Sequence, residues 1–349
     1  MRRILNVIDV SVYMHAGSKG KHSKDKSYYG VPTGGIEMLM RDLSLMEQDL
    51  QTVVLAFDSD TDRRGILEEY KQNRVQNKAV AYQNIKMFEL LNRAGYKCVR
   101  MAGYEADDII NKVVKDNYDK YLKIKVYTAD RDLAHLVDSK GKVSLVSPVS
   151  IGTDVNKENY KWVIDNDRIV EYNCVLPYKV LYGDKSDNVR PLTFKTKGWT
   201  PETALDNFME SVKDKVGPER FSDEIVMKWW LQKIVKGREI VEEDAKEIIR
   251  RMKVMYPREI KESLKHEHRS INKEVITEIC TMFNLRDVAK HWGLKMKKMD
   301  DNMKEEMFKE KSYYDAGMFS IDESICLEVD VLGEGLGRGE AEGVNVKSF

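Results

Sequence analysis

Ile4-Leu5-Asn6-Val7-Ile8-Asp9 is a short apolar run that ends at a carboxylate. Two later runs have the same form: residues 52–57 (TVVLAF) precede Asp58, and residues 123–127 (KIKVY) lie just before Asp130. A fourth run covers residues 143–146. Short runs rich in valine and isoleucine are typical of buried β-strands.

Helical patterns separate these strands, at about residues 34–48, 79–94 and 105–120. Strands that alternate with helices predict an α/β fold with a central, mostly parallel sheet. Ligands of such sheets bind outside the carboxyl ends of the strands. The first candidate site residues are therefore the acids at these ends, Asp9, Asp58 and Asp130.

The composition predicts a soluble protein of a reducing compartment, and we expect it in the cytoplasm. The chain has 349 residues, 42% of them hydrophobic, which at about 100–200 residues per domain predicts two domains. It contains no apolar run near the roughly 20 residues of a membrane span. Its four cysteines are scattered without a CxxC pair, which argues against a zinc site or a disulfide scaffold.

The charge is distributed unevenly along the chain. Lys+Arg and Asp+Glu both number 58, but residues 300–349 carry 13 acidic and 5 basic residues, a net charge of −8. The remaining residues therefore carry +8, which suggests a polyanionic partner for the body of the protein. From about residue 167 the pattern is helical, and the Gly- and Glu-rich end indicates a flexible tail outside the folded body.

Three clusters of acids lie in the sequences GYEADD at 103–108, TADRD at 128–132 and GDKSDN at 183–188. Taken singly, such acids are common at helix N-termini and in turns. Gathered at one edge, two carboxylates 4 Å apart repel by about 4 kcal/mol at an effective dielectric constant of 20, so cations are needed. Oxygen ligands without histidine or cysteine favour Mg²⁺ or Mn²⁺, and two such ions are a common device for phosphodiester hydrolysis.

A basic segment follows Asp58. In EYKQNR at 69–74, Lys71 and Arg74 are three residues apart and would share one face of a helix. Arginine binds phosphate as a fork and lysine binds it as a point charge. Viewed alone, an exposed helical face is the better interpretation of this segment.

These motifs together resemble the structure-specific 5′-nucleases, a family that includes flap endonucleases and phage 5′-3′ exonucleases that remove RNA primers. The resemblance rests on six motifs in the family's order, over roughly residues 4–190. They are Asp9, FDS at 57–59, EYKQNR at 69–74, GYEADD at 103–108, TADRD at 128–132 and GDKSDN at 183–188.

The resemblance implies a set of site residues. The metal-binding acids would be Asp9, Asp58, Glu105, Asp107, Asp108, Asp130, Asp132, Asp184 and Asp187, and they would hold two Mg²⁺ ions, with Mn²⁺ as a substitute. Lys71 and Arg74 would contact substrate phosphate and, with Asp107, act in catalysis. Lys179 occupies a position that is often basic in the family, and we expect it to bind DNA.

The resemblance also implies an organisation and a biological setting. We expect a PIN-like nuclease domain at 1–170 with a helical arch at about 62–95. A helical duplex-DNA-binding domain of helix–three-turn–helix type would follow at 171–299, and the acidic tail at 300–349. The protein would be a monomer that acts on 5′ flaps, nicks or RNA primers during replication. Separately from the resemblance, the apolar residues 318–321 (MFSI) would contact a sliding clamp or a single-strand-binding protein. The short arch suggests a phage.

The chain departs from the family after Asn188. Members usually continue with a glycine-rich turn that binds duplex DNA, whereas residues 189–198 contain one glycine. We therefore expect Lys195 and Lys197 to contact phosphates directly in place of that turn.

Three other interpretations remain. Residues 53–61 fit the DxDxT signature of haloacid-dehalogenase-type phosphatases, with Asp58 as a covalent nucleophile. That hypothesis leaves Asp9 and the cluster at 105–108 without a role. A non-catalytic accessory that binds branched DNA would gain nothing from nine acids beside phosphates. A PIN-type ribonuclease would share the sheet but have fewer acids, and the helical second half argues against it.

Overall fold

The computed structural model describes residues 4–19, 27–48, 51–74, 77–138, 140–148, 154–155, 162–164, 168–170, 172–213, 222–264 and 270–316. The functions expected of residues 317–349 lie outside these ranges.

A six-stranded sheet forms the centre of the first half of the chain, in the order β5-β4-β1-β6-β7-β8. Its strands are β1 (Ile4–Asp9), β4 (Thr52–Ala56), β5 (Lys97–Val99), β6 (Lys123–Tyr127), β7 (Val143–Val146) and β8 (Asp154–Val155). All neighbouring pairs are parallel except β7 with β8. The predicted α/β fold with a mostly parallel sheet is confirmed, and β1 lies at its middle. Two small antiparallel pairs also occur, β2 (Ser27–Tyr28) with β3 (Val31–Pro32) and β9 (Trp162–Ile164) with β10 (Arg168–Val170).

Side-chain alternation along the strands creates two cores, one on each face of the sheet. Leu5 and Val7 of β1 point to one face, where α5 (Ala106–Asn117) packs. Ile8 points to the other face, which α1 (Val10–Lys19), α2 (Gly34–Gln48) and α4 (Lys78–Arg93) cover. Because both faces are covered, β4 (TVVLA) is buried at every position.

The helices of the second half extend the first core. They are α6 (Val175–Tyr182), α7 (Pro201–Lys213), α8 (Glu224–Lys236) and α9 (Glu242–Met255). Trp230 on α8 is completely buried, stacks edge-on against Phe208 and donates its indole N–H to Asn207 at 2.8 Å. The predicted helical character of this region is confirmed, whereas its helix–three-turn–helix type stays a prediction.

The chain then returns to the opposite face of the sheet through α10 (Lys273–Met282), α11 (Arg286–His291) and α12 (Asp301–Ala316). The Trp292 indole N–H donates to the Met40 carbonyl at 3.1 Å, and Met307 is fully buried in the second core. The predicted boundaries at 171–299 and 300–349 therefore differ from the structure. Residues 273–316 pack on the second core, so α12 is not part of a separate tail.

The predicted arch over 62–95 also differs from the structure. Residues 63–66 form the short helix α3 (Arg63–Ile66), which turns at 68–73 follow. Helix α4 buries Phe88 and Leu91 in the second core, so it is a packed layer helix rather than part of a projecting arch.

Candidate active site

Seven of the nine predicted acids line one cleft of about 420 Å³ at the carboxyl edge of the sheet. Asp9 is the last residue of β1, Asp58 follows β4, and Asp130 follows β6. Glu105 and Asp107 lie at the start of α5, whose N-terminus faces the same edge. The full set in the cleft is Asp9, Asp58, Glu105, Asp107, Asp130, Asp132 and Asp184, with Lys71, Arg74 and Lys179 on its walls.

Asp9 is buried in the floor of the cleft with one oxygen unsatisfied. Its side chain is 5% exposed, and its Oδ2 accepts a hydrogen bond from Thr128 Oγ1 at 3.1 Å. Its Oδ1 has no hydrogen-bond partner among the described residues. Burial, followed by the nearby carboxylates of Asp58 and Asp130, raises the pKa of Asp9 from 3.8 to about 8. This carboxylate is therefore short of positive charge.

Asp107, like Asp9, is a carboxylate without a paired cation among the described residues. Burial, then the charges of Asp130 and Asp9, raises the pKa of Asp107 well above its usual value. Neither Asp9 nor Asp107 forms an ion pair with any described lysine or arginine. In the part of the chain that the structure describes, these carboxylates lie close together without a paired cation, and one of them has a buried oxygen that accepts no hydrogen bond. Such a set suits a divalent cation that prefers oxygen ligands. The residues present thus match the ion that the sequence predicts.

Asp58 joins three elements at the edge of the cleft. Its Oδ2 accepts from Ser11 Oγ at 2.6 Å, and its Oδ1 accepts from the Ala106 N–H at 2.9 Å. Asp58 thereby fixes the starts of α1 and α5 beside β4. Ser11 was not predicted, although its position two residues after Asp9 at a helix start is a usable signal.

A buried arginine holds the acids at the start of α5. Arg63 donates to Glu105 Oε2 at 2.9 Å and to Asp108 Oδ1 at 2.5 Å. Tyr70 also donates to Glu105 Oε2, at 3.0 Å, and Lys71 Nζ donates to Oε1 at 2.9 Å. Burial acts to raise the pKa of Glu105, but the positive charges of Arg63 and Lys71 bring it below the usual value.

Asp108 is not a cleft residue, which corrects its prediction as a metal ligand. Its side chain is fully buried, and its Oδ1 also accepts from the Arg258 N–H at 2.7 Å. Its Oδ2 accepts from the Glu105 N–H at 2.9 Å, which completes a capping box on α5. Both oxygens are thus used to anchor the helix. Arg63, which the sequence analysis did not single out, is the partner that makes this burial tolerable.

The EYKQNR motif contacts the GDKSDN motif, more than 100 residues later. Arg74 forms an ion pair with Asp187, whose carbonyl accepts from the Lys71 N–H at 2.7 Å. Asn188 donates from Nδ2 to the Glu69 carbonyl at 2.9 Å. The Arg74 side chain is 51% exposed, so its guanidinium also faces solvent at the mouth of the cleft. Both motifs therefore form one wall.

Lys179 lies inside the acid cluster rather than on an exposed surface, and its contact with DNA stays a prediction. It is 3% exposed, and its Nζ forms ion pairs with both Asp132 and Asp184. Burial acts to raise the pKa of Asp184, but Lys179 and Ser186 bring it below the usual value. For Asp132, burial and Asp130 outweigh Lys179, and its pKa is raised well above the usual value.

Lys195 and Lys197 are exposed on the loop that replaces the glycine-rich turn. Asp244, at the start of α9, anchors this loop by accepting from the N–H groups of Lys195 and Thr196, both at 2.9 Å. Asp244 carries no distinctive sequence signal, because acids are common in the first turn of a helix. The DNA contacts of the two lysines stay a prediction.

Comparison with known families assigns the nuclease half. Residues 5–171 match the family model described as the 5′-3′ exonuclease, N-terminal resolvase-like domain. This match confirms the resemblance to 5′-nucleases that the motifs carry.

Curated relatives share this half. The 5′-3′ exonuclease of Aquifex aeolicus is 32% identical over 186 residues, which are 50% of this chain and 59% of that protein. The DNA polymerase I of Synechocystis is 29% identical over 170 residues, 45% of this chain and 17% of that protein. The match thus spans less than two thirds of these relatives' own length.

Solved structures give weaker likenesses. The T5 5′-exonuclease with divalent zinc ions is 14% identical, with a TM-score of 0.44 over 89% of this chain and 99% of that one. Among the described helices, none is long and apolar enough to cross a membrane.

Proposed function

We propose that this protein is a metal-dependent 5′-nuclease that hydrolyses phosphodiester bonds in branched DNA or RNA–DNA primers. The observation that carries the proposal is the cleft itself. Its floor holds the uncompensated carboxylates of Asp9 and Asp107, and its wall holds Lys71 and Arg74. Acids that attract divalent cations, beside bases that attract phosphate, are the two requirements of metal-assisted phosphodiester hydrolysis.

The acids divide into two groups that would hold ions. Asp9, Asp107 and Asp130 form the group at the sheet edge, where the charge of Asp130 raises the pKa of both Asp9 and Asp107. Asp132, Asp184 and Asp187 form the second group, with one oxygen of each within 4.8 Å of the others. Mg²⁺, or Mn²⁺ in its place, would supply Lewis-acid stabilisation of phosphate charge and lower the pKa of water.

The basic wall would bind and orient the scissile phosphate. Lys71 Nζ reaches the cleft beside Glu105, with 20% of its side chain exposed. Arg74 is half exposed at the mouth, so a phosphate oxygen can compete with Asp187 for its fork of N–H donors. Donors fixed beside the acids stabilise charge that develops on phosphate in the transition state.

The substrate class rests on the relatives and on the second half of the chain. The curated relatives are named as 5′-3′ exonucleases and DNA polymerases I, which supports DNA as the substrate. The exposed Lys195 and Lys197 belong to the helical half, where we propose that duplex DNA binds. We further propose that the protein is a monomer and that it works with a sliding clamp or a single-strand-binding protein. Its location would be the cytoplasm of a phage-infected cell.

A phosphatase that uses Asp58 as nucleophile is not favoured. Both Asp58 oxygens accept hydrogen bonds, from Ser11 and Ala106, that tie helices to the sheet. That chemistry also leaves Asp9 and Asp107 without a role, although the pKa of each is raised and no described lysine or arginine forms an ion pair with them.

The test uses end-labelled 5′-flap, nicked and RNA–DNA substrates with Mg²⁺ or EDTA. We expect cleavage with Mg²⁺ alone, and none from Asp107→Asn, which should still bind the flap because an acid facing phosphates is removed. Asp60→Asn is the matched control, since Asp60 is an exposed acid that lies outside the cleft. Full cleavage by Asp107→Asn, or cleavage in EDTA, would contradict the proposal.

A further inference from the structure

Lys179 is a cation that the protein itself places among the proposed metal ligands. It lies on α6, four residues before Gly183, and it is 3% exposed. Its Nζ contacts Oδ2 of Asp132, from the segment after β6, and Oδ2 of Asp184, from the turn after α6. One ammonium thus bridges two carboxylates from different halves of the chain, as a bridging divalent ion would.

Because of this lysine, the negative charge of the second acid group is balanced more fully by protein cations than that of the first. In the second group, three carboxylates meet two cations, since Lys179 pairs with Asp132 and Asp184 while Arg74 pairs with Asp187. In the first group, Asp9 and Asp107 form no ion pair with a described lysine or arginine, and one Asp9 oxygen accepts no hydrogen bond. A divalent cation is therefore attracted strongly by the carboxylates of the first group and more weakly by those of the second.

We propose that Lys179 occupies the second divalent-ion position in the free protein, so that one ion binds tightly and the second enters only when the ammonium withdraws. The proposal rests on the proposed function, because it concerns ions at that site. A lysine suits this role because its four-carbon stem is flexible and its charge is a compact point. Phosphate oxygens entering the cleft offer the ammonium another partner, which would couple entry of the second ion to substrate.

The test is ion binding by the free protein, without DNA. Mn²⁺ is titrated into the protein, and the electron paramagnetic resonance signal of the unbound ion gives stoichiometry and affinity. We expect wild type to bind one ion tightly and a second weakly. Lys179→Met should tighten the second event at least tenfold and leave the first within about threefold, whereas Lys179→Arg, which keeps the charge, should leave the second weak.

Two controls separate this effect from loss of a buried lysine in general. Lys86 is also a buried lysine that pairs with carboxylates, Glu306 and Glu310, but it does not line the cleft. Lys86→Met should therefore bind Mn²⁺ as wild type does. Thermal unfolding provides a second readout: Mn²⁺ should stabilise Lys179→Met more than wild type, because the ion replaces the missing ammonium.

The outcomes distinguish the two proposals. Equal second-site affinity in wild type and Lys179→Met overturns the role of Lys179 and leaves the nuclease proposal intact. A Lys179→Met protein that stays unfolded in saturating Mn²⁺ also overturns it, because Lys179 would then be a structural residue. A wild type that binds no Mn²⁺ and cleaves no substrate contradicts the proposed function itself.

Discussion

Replacing Asp9 by asparagine should make the metal-free protein more stable while abolishing its activity. Asp9 is 5% exposed on the floor of the cleft, and Oδ1 accepts nothing from the described residues. An amide has nearly the same shape as the carboxylate and no charge. The change therefore removes the repulsion from Asp58 and Asp130 without leaving a cavity.

The size of the effect follows from the pKa of Asp9. A rise from 3.8 to about 8 is roughly four units, on the order of 5 kcal/mol of destabilisation once the group is ionised. Between these two pH values the native state binds more protons than the unfolded state, so wild-type stability falls as pH rises through the window. We expect the asparagine variant to gain about 2–5 kcal/mol at pH 8 and the gain to fade toward pH 4.

Urea denaturation in EDTA at pH 8 and pH 5, followed by circular dichroism, measures the effect. The control is Asp60→Asn, an exposed site that should be neutral at both pH values. Addition of Mn²⁺ should reverse the order, because the ion stabilises the wild type and not the variant. The reasoning is wrong if Asp9→Asn is less stable than wild type in EDTA at pH 8, or if it gains no advantage there over pH 5.

Three further predictions concern the wall of the cleft, its support and the C-terminus. Arg74→Ala should lower the single-turnover cleavage rate about 10²–10³-fold with a smaller loss of DNA affinity, and an unchanged rate at saturating enzyme would make it an ordinary surface residue. Arg63→Met should lower the free energy of unfolding, measured by urea denaturation, by about 3–5 kcal/mol, because two buried carboxylates lose their partner. Arg250→Met, which removes an exposed ion pair, should lower it by less than about 1 kcal/mol. Deletion of residues 317–349 should leave the melting temperature unchanged. Deletion of residues 301–349 also removes α12 and should lower the free energy of unfolding by about 2–4 kcal/mol, and with it the melting temperature. Equal melting temperatures for the two deletion variants would contradict the packing of α12.

The sequence predicted the sheet and the position of the site because both depend on local pattern. Apolar runs that end at Asp9 and Asp58 are strands in the structure, and their acids lie at the carboxyl edge. The helix predicted at 34–48 has those bounds, and the one predicted at 79–94 is Lys78–Arg93. These features follow from backbone periodicity and topology, which a single sequence carries.

The roles of individual charges were less predictable, because they depend on contacts between distant segments. Asp107 and Asp108 are neighbours in sequence, yet the helical turn directs one to the cleft and the other to Arg63 and Arg258. From the sequence alone, Lys179 is indistinguishable from a surface lysine, because its ion pair with Asp132 joins segments far apart in the chain. Polar α12 gave no periodic signal, since its burial rests on Met307 and on ion pairs to α4.

The return of the chain to the far face of the sheet also determines when the nuclease half can fold during synthesis. Ile276, Phe283 and Trp292 cover that face beside α2 and α4, about 146 residues after the end of β7 at Val146. At ~5–20 residues per second, a ribosome needs roughly 7–30 s to add them. Throughout this interval the outer apolar faces of α2 and α4 lack the cover that α10 and α11 provide, so chaperones can reach them.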